Sequence, residues 1–300
     1  MALIAGPTAS GKTALALHLA KSRNIVIINA DSAQVYSDLP VLSAQPTSAE
    51  KASVPHRLFG YLDGATGCSA AKWAADAKAE IAAAHAAGSL PVLVGGTGLY
   101  LRTLLEGIAP IPDIGANIRA EIRALPTPEA YARLQKQDSV IATQLASTDS
   151  SRISRALEVI ESTGRSIADW RKQKAGGIAG AVELHPLILL PPREWLYARC
   201  DARFDTMLES GAVGEVEALL ARNLPADAPV MRAIGVPEIT AMLAGDISRD
   251  DAIVRGKIAT RQYAKRQFTW FRNQSPAEWP RWEEKINDSN RAIIEILLQF

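Results

Sequence analysis

The chain has 300 residues, 48% of them apolar and 22% charged, with a formal net charge of +1 at pH 7. These are the proportions of an ordinary globular protein, and the near-zero charge excludes nucleic-acid binding by overall basicity, so any such site must come from local clustering. The two cysteines, Cys68 and Cys200, lie far apart with no C-x-x-C pairing, which argues against a zinc site and a disulfide framework and makes a cytoplasmic location the expectation.

No apolar run approaches the length of a membrane span, so no membrane partner is expected. The length suits one large domain or two smaller ones.

In chain order, Ala2-Leu3-Ile4-Ala5 reads as a buried strand. Gly6-Pro7-Thr8-Ala9-Ser10-Gly11-Lys12-Thr13 follows it and opens into an alanine- and leucine-rich helix over 12–22. Strand, glycine loop and helix form the context of a phosphate-cradling loop, G-x-x-x-x-G-K-[ST]. The two glycines let backbone N–H groups converge, and the helix N-terminus adds partial positive charge. Lys12 reaches the outer phosphate, and the Thr13 hydroxyl can hold magnesium.

Ile25-Val26-Ile27-Ile28 reads as a second strand buried on both faces, which begins a parallel α/β sheet. Asp31 follows it at the carboxyl end, where such sheets bind ligands. Residues 69–87 read as a helix capped by Ser69, and Pro91-Val92-Leu93-Val94 as a third strand. The turn Gly95-Gly96-Thr97-Gly98 leads to a helix over 99–106.

Residues 113–180 differ. They are polar, with helical spacing and scattered arginines, and read as a helical insertion between a core made of 1–112 and 181–300. A fourth strand returns at 186–190. Helices are expected over 194–222, 236–244, 249–272 and 292–298.

Asp31 is a candidate general base or metal contact; the alternative is a turn aspartate before Ser32. Thr97 sits either at a ligand or at a plain strand-to-helix turn, as its N-cap. Residues 255–272 hold Arg255, Lys257, Arg261, Lys265, Arg266 and Arg272 with no acidic residue, interleaved with Tyr263, Phe268, Trp270 and Phe271. Such a helix suits RNA, whose phosphates meet the cations and whose bases stack on rings, or it is a solvated face over a core stripe.

Taken together, the chain resembles the tRNA dimethylallyltransferases over nearly its whole length. The resemblance is carried by Gly6–Thr13, Asp-Ser-Ala-Gln-Val-Tyr at 31–36, Val-Pro-His at 54–56 and Val-Gly-Gly-Thr-Gly-Leu-Tyr at 94–100. Further pieces are Ser-Arg-Ile-Ser-Arg-Ala-Leu-Glu-Val at 151–159, Arg-Phe-Asp-Thr-Met-Leu at 203–208 and Thr-Arg-Gln-Tyr-Ala-Lys-Arg-Gln-Phe-Thr-Trp-Phe-Arg at 260–272. Gln45, Arg57 and Val236 depart from the family pattern, which has a lysine, a histidine and an aromatic there.

The resemblance implies an α/β fold with a P-loop NTPase-like parallel sheet, a helical insertion domain that binds tRNA, and a helical C-terminal region. It implies transfer of a dimethylallyl group from dimethylallyl diphosphate to N6 of the adenosine beside the anticodon on its 3′ side (adenosine-37), with diphosphate released. Gly6, Pro7, Thr8, Ala9, Ser10, Gly11, Lys12 and Thr13 would hold the diphosphate with Mg2+ at Thr13. Asp31 would be the base, Arg203 a diphosphate contact, and Thr97 a residue near the reacting centre. The tRNA contacts implied are Asp31, Ser32, Ala33, Gln34, Thr97, Arg119, Ser151, Arg152, Ile153, Ser154, Arg155 and Arg232. A monomer is expected.

Two other classes share these features: a P-loop kinase of a nucleotide or small molecule with ATP in the same loop, and a non-catalytic RNA-binding protein.

Overall fold

The structure, a computed structural model, describes residues 1–287, 289–291, 294 and 297–298. The final helix expected over 292–298 falls largely outside the described residues.

Strand β1 (Ala2–Ala5) leads through the glycine loop into helix α1 (Lys12–Leu19), then β2 (Ile25–Asn29). Helix α1 stops at Leu19, earlier than its composition suggests, because residues 20–23 form a turn. Helix α2 (Ser48–Ser53) begins at a capping box in which Thr47 and Glu50 each bond the other's backbone N–H. After β3 (His56–Arg57) comes α3 (Ala70–Ala86), whose N-cap Ser69 accepts from the Lys72 amide at 3.0 Å. Strand β4 (Leu90–Gly95) and helix α4 (Gly98–Glu106) follow.

The insertion then runs through β5 (Gly107–Ile108), α5 (Ala116–Ala124), α6 (Thr127–Gln137), α7 (Ser139–Gln144), α8 (Ser150–Thr163), α9 (Ile167–Arg171) and β6 (Ala175–Gly176). The chain returns through β7 (His185–Leu189), α10 (Arg193–Glu209), α11 (Ala212–Ala221), α12 (Val236–Leu243), α13 (Arg249–Gln274) and β8 (Arg281–Trp282).

Two compact units result: Met1–Leu104 with Ala179–Phe300, and Leu105–Ile178. In the first, six strands form one sheet in the order β3-β2-β4-β1-β7-β8, and every pairing is parallel. The inner strands are buried on both faces, as their unbroken apolar runs require. The phosphate-type loop leaves β1, between β4 and β7, so the turns after β1, β2, β4 and β7 all lie along one edge of the sheet. The two edge strands, β3 and β8, have two residues each, too few for a sequence pattern to show.

The second unit is helical with its own core, which includes Ile122, Leu134, Ile141, Ile153, Leu157 and Ile167. Its buried Glu158 is paired with Arg123 at 2.9 Å and Arg155 at 3.4 Å, as a buried charge must be. Its limits differ from the sequence expectation of 113–180 because β5 pairs antiparallel with β6 and draws residues 105–112 into the unit. Ile153, expected to touch tRNA, is fully buried in this core. Its side chain belongs to packing; its place on the inner face of α8 is the reason.

Ile153→Ala should destabilise the insertion by about 2–5 kcal/mol, the range for a large-to-small core change. A urea midpoint unchanged from that of the parent chain would place the side chain outside the core.

Candidate active site

The glycine loop is built for an anion. Gly11 adopts φ 100° at the N-cap of α1, a left-handed conformation natural to glycine, and no side chain caps this helix. The first amides of α1 are thus left for a ligand. Ala9 also has a positive φ, 62°, a strained conformation for a residue with a Cβ, of the sort held at ligand-binding turns. The Ser10 hydroxyl is buried with no hydrogen-bond partner among the described residues. An orphan of this kind costs about 1–3 kcal/mol until something pairs with it. Lys12 Nζ donates to Pro7 O at 2.7 Å, which folds the lysine over its own loop.

The neighbouring strand ends bring Asp31 and Thr97 together. Asn29, at the end of β2, is fully buried; its Oδ1 accepts from Asp31 N at 2.8 Å and its Nδ2 donates to Leu58 O at 3.0 Å. Asp31 Oδ1 in turn accepts from Ala33 N at 3.0 Å. The Thr97 backbone N–H donates to Ala30 O at 3.1 Å, and the Thr97 hydroxyl accepts from Ser32 N at 2.9 Å. Gly95 permits this approach, since a Cβ there would lie 2.1 Å from the Ala30 backbone.

Two long helices close the site from far along the chain. From α10, Arg203 donates to the Thr8 hydroxyl, and Arg199 Nε donates to Ala9 O at 3.0 Å. From α13, Gln267 and Tyr263 reach the strand ends; the Tyr263 hydroxyl is within hydrogen-bonding range of Thr97 and Ser32. Two cavities meet here. A trough of about 560 Å³ runs along the loop past Lys12, Thr13, Arg199 and Asp31. A chamber of about 350 Å³ has an apolar wall of Phe204, Met207, Cys200 and Ile234, with Tyr36 and Tyr100 opposite polar groups. Thr8, Asp31, Gln34 and Arg203 line both.

The charge balance is unusual. Burial pushes Lys12 down to about 8; nearby Asp31 opposes the shift and Arg203 adds to it. Burial also lowers Arg203, with Cys200 and Asp31 opposing. Two half-buried cations therefore share one close carboxylate. Burial raises the Cys200 thiol and the Tyr263 hydroxyl above their usual ranges, so both are protonated at neutral pH. An incoming anion would relieve the strain on both cations.

The expected residues separate into groups. Gly6–Thr13, Asp31 and Arg203 come together. Thr97 is beside Asp31, and its hydroxyl accepts from Ser32 N and donates to Ser32 Oγ at 3.2 Å, which holds the Ser32 turn. Ser32, Ala33 and Gln34 line the chamber, but the Gln34 side chain is committed to Ser43 O and Ala44 O at 3.0 and 2.7 Å. Arg232 is exposed and lines the chamber rim. In the insertion, Arg119, Ser151 and Arg152 are exposed, while Ser154 and Arg155 are half-buried.

The basic residues of α13 divide. Lys257 pairs with Asp205 at 2.7 Å and Arg261 with Asp201 at 2.7 Å, both on α10, and these two brace α10 near the site. Arg255, Lys265, Arg266 and Arg272 are exposed. Of the departures, Gln45 donates to Tyr36 O at 2.7 Å, Arg57 pairs with Glu80 at 3.4 Å, and Val236 is buried. Sequence reasoning missed Arg199 and Gln267. Both lay inside helices read for amphipathicity or charge, and only the segment at 260–272 signalled that its polar residues matter.

The comparisons with known proteins agree with this geometry. The family model described as IPP transferase matches residues 34–274. The chain belongs to the IPP transferase family. The tRNA dimethylallyltransferase of Sphingopyxis alaskensis is 59% identical over 96% of this chain and 94% of its own length. That of Novosphingobium aromaticivorans is 62% identical over 92% and 99%. At this coverage these relatives extend the likeness to Asp31, which precedes the segment matched by the family model. The solved tRNA isopentenylpyrophosphate transferase of Bacillus halodurans is 32% identical, with a TM-score of 0.71, over 99% of this chain and 96% of its own. A eukaryotic dimethylallyltransferase described as acting on tRNA has a TM-score of 0.77 at 29% identity, over 90% of this chain and 69% of its own. Among the described residues, no helix is long and apolar enough to cross a membrane.

Lys12 gives the site a pH signature. Below about pH 8 it is charged in the empty site; above, it is neutral. Affinity for an alkyl diphosphate, whose oxygens are already ionised at pH 7, should therefore fall as pH rises past 8, with proton uptake on binding. Calorimetry in two buffers of different ionisation enthalpy measures this. Binding that is flat from pH 7 to about 9.5, with no proton uptake, contradicts a half-buried, titrating Lys12.

Proposed function

We propose that the chain transfers a dimethylallyl group from dimethylallyl diphosphate to N6 of an adenosine in tRNA, the one beside the anticodon on its 3′ side, and releases diphosphate. The observation that carries the reading is the junction of a cationic trough with an apolar-walled chamber at Asp31. A kinase needs a polar acceptor next to the outer phosphate. Here the chamber that adjoins the trough sets Phe204, Met207 and Ile234 among polar lining residues, which suits a five-carbon allyl group beside a base. The names of the relatives support the same substrate class.

The chain's residues divide the work. The amides of the glycine loop, Lys12 and Arg203 hold the diphosphate and stabilise the charge that grows on it as the bond from carbon to oxygen breaks. The N6 lone pair forms the new bond to the allylic carbon. The proton lost from N6 goes to the Asp31 carboxylate, which accepts from the Ala33 amide, while the Asn29 side chain holds the Asp31 backbone. Thr97 and Tyr263 brace the Ser32 turn behind it. The apolar wall keeps water from the allyl group.

A magnesium ion fits the donors present. Thr13 lines the trough beside Lys12 and Asp31. Among the described residues no group of three or more His, Cys, Asp or Glu side chains could hold a metal alone. That set suits a hard cation that keeps its waters and rides on the diphosphate. When bound, it supplies further charge neutralisation to the leaving group.

For tRNA, the exposed Arg119 and Arg152 of the insertion would contact backbone phosphates, and Arg232 would sit at the chamber rim. The target base must leave its stack, at a cost of a few kcal/mol that is lowest in a loop.

Unmodified tRNA incubated with dimethylallyl diphosphate, magnesium and the protein should yield a prenylated adenosine on nucleoside mass analysis; none, from folded protein, would end the reading. Asp31→Ala and Lys12→Ala should each lower turnover by at least about a hundredfold, in keeping with base and charge-stabilising roles. A near-normal rate for either removes the role assigned to it.

A further inference from the structure

Gln267 has no titratable group and belongs to no phosphate motif, yet it bonds the glycine loop and the turn after β4. It lies in α13 and is 5% exposed. Its Oε1 accepts from Thr8 N at 2.8 Å, and its Nε2 donates to Gly96 O at 2.9 Å. Thr8 belongs to the loop after β1 and Gly96 to the turn after β4, and these strands are neighbours. One side-chain amide therefore joins two strand ends. Its orientation is determined, because a flipped amide would set donor against donor and acceptor against acceptor.

The space is shaped around this contact. A Cβ at Gly96 would lie 2.1 Å from Gln267 Nε2, so the glycine and the glutamine fit only as a pair. The consequences reach both halves of the reaction. On one side, the Thr8 hydroxyl takes the Arg203 guanidinium. On the other, the residue after Gly96 is Thr97, which holds the backbone of Ser32, next to Asp31.

We infer that Gln267 is a positioning residue that sets the spacing between the diphosphate cradle and the Asp31 base, by clamping Thr8 N and Gly96 O with the two ends of one buried amide. The inference rests on the transfer reading above. Gln267 touches no reacting atom. It acts through the loop on one side and through Thr97 on the other.

The test is Gln267→Glu, which is isosteric. One carboxylate oxygen can still accept from Thr8 N; the other faces the Gly96 carbonyl, acceptor against acceptor. With both substrates saturating, kcat should fall at least about tenfold while KM for the diphosphate donor changes less than about threefold, since misplacement of reacting groups acts on turnover more than on binding. The same change made in Thr97→Ala should cost less than about threefold, because the route through Thr97 is already broken. Packing alone predicts equal losses in the two backgrounds. Gln267→Met, which loses both hydrogen bonds, takes the same two readouts if the glutamate variant does not fold. Folded variants with parent kcat, or equal losses in both backgrounds, overturn the inference. Absence of transfer by the parent chain in the same assay overturns the reading beneath it.

Discussion

Two half-buried cations, Lys12 and Arg203, stand at the carboxyl edge of a parallel sheet, with Asp31 as their close carboxylate. Drawing a charge out of water is costly unless it is paired. The pair therefore favours an anionic ligand, and the rest of the structure serves that preference. The unfilled amides of α1, the orphan Ser10 hydroxyl and the strained Ala9 all point to the same ligand, a chain of phosphates. What the site does with those phosphates depends on the neighbouring space, and that space is apolar on one wall.

The sheet order places every component. Because all pairings are parallel, the ends of β1, β2 and β4 share one edge, so Thr8, Asp31 and Thr97 meet although up to about ninety residues separate them in sequence. Helices α10 and α13 then cross that edge from the far end of the chain. They are tied to each other by the Lys257–Asp205 and Arg261–Asp201 pairs. Lys257 and Arg261 of α13 thereby hold α10, and α10 in turn presents Arg199 and Arg203 to the loop.

Much of this was legible in the sequence. The glycine loop announces itself, because its backbone geometry needs glycine at fixed spacing. The central strands are largely apolar runs, β-branched throughout only at Ile25–Ile28, and Asp31 follows from its place just beyond that one. What stayed hidden has physical causes. Strands β3 and β8 are two residues long and carry no period. The insertion boundary is set by pairing between Gly107–Ile108 and Ala175–Gly176, which no local pattern encodes. Ile153 sits in a motif that resembles a tRNA contact, and only the packing of α8 shows that its side chain faces the core. Thr97 lies in a turn whose glycines suggest a ligand; that its hydroxyl also accepts from the Ser32 amide, in the turn after β2, appears only in the fold. Gln267 works through two hydrogen bonds to distant backbone atoms, and a neutral amide leaves no trace in charge or periodicity.

The central claim is that the loop holds a phosphate group to be discarded and not transferred. The most direct measurement follows two labels in one reaction, carbon in the allyl group and phosphorus in the terminal phosphate of dimethylallyl diphosphate, with tRNA as acceptor. The account predicts carbon label in the tRNA and all phosphorus label in free diphosphate. Phosphorus label in the tRNA, or carbon label left entirely in small molecules, would contradict it.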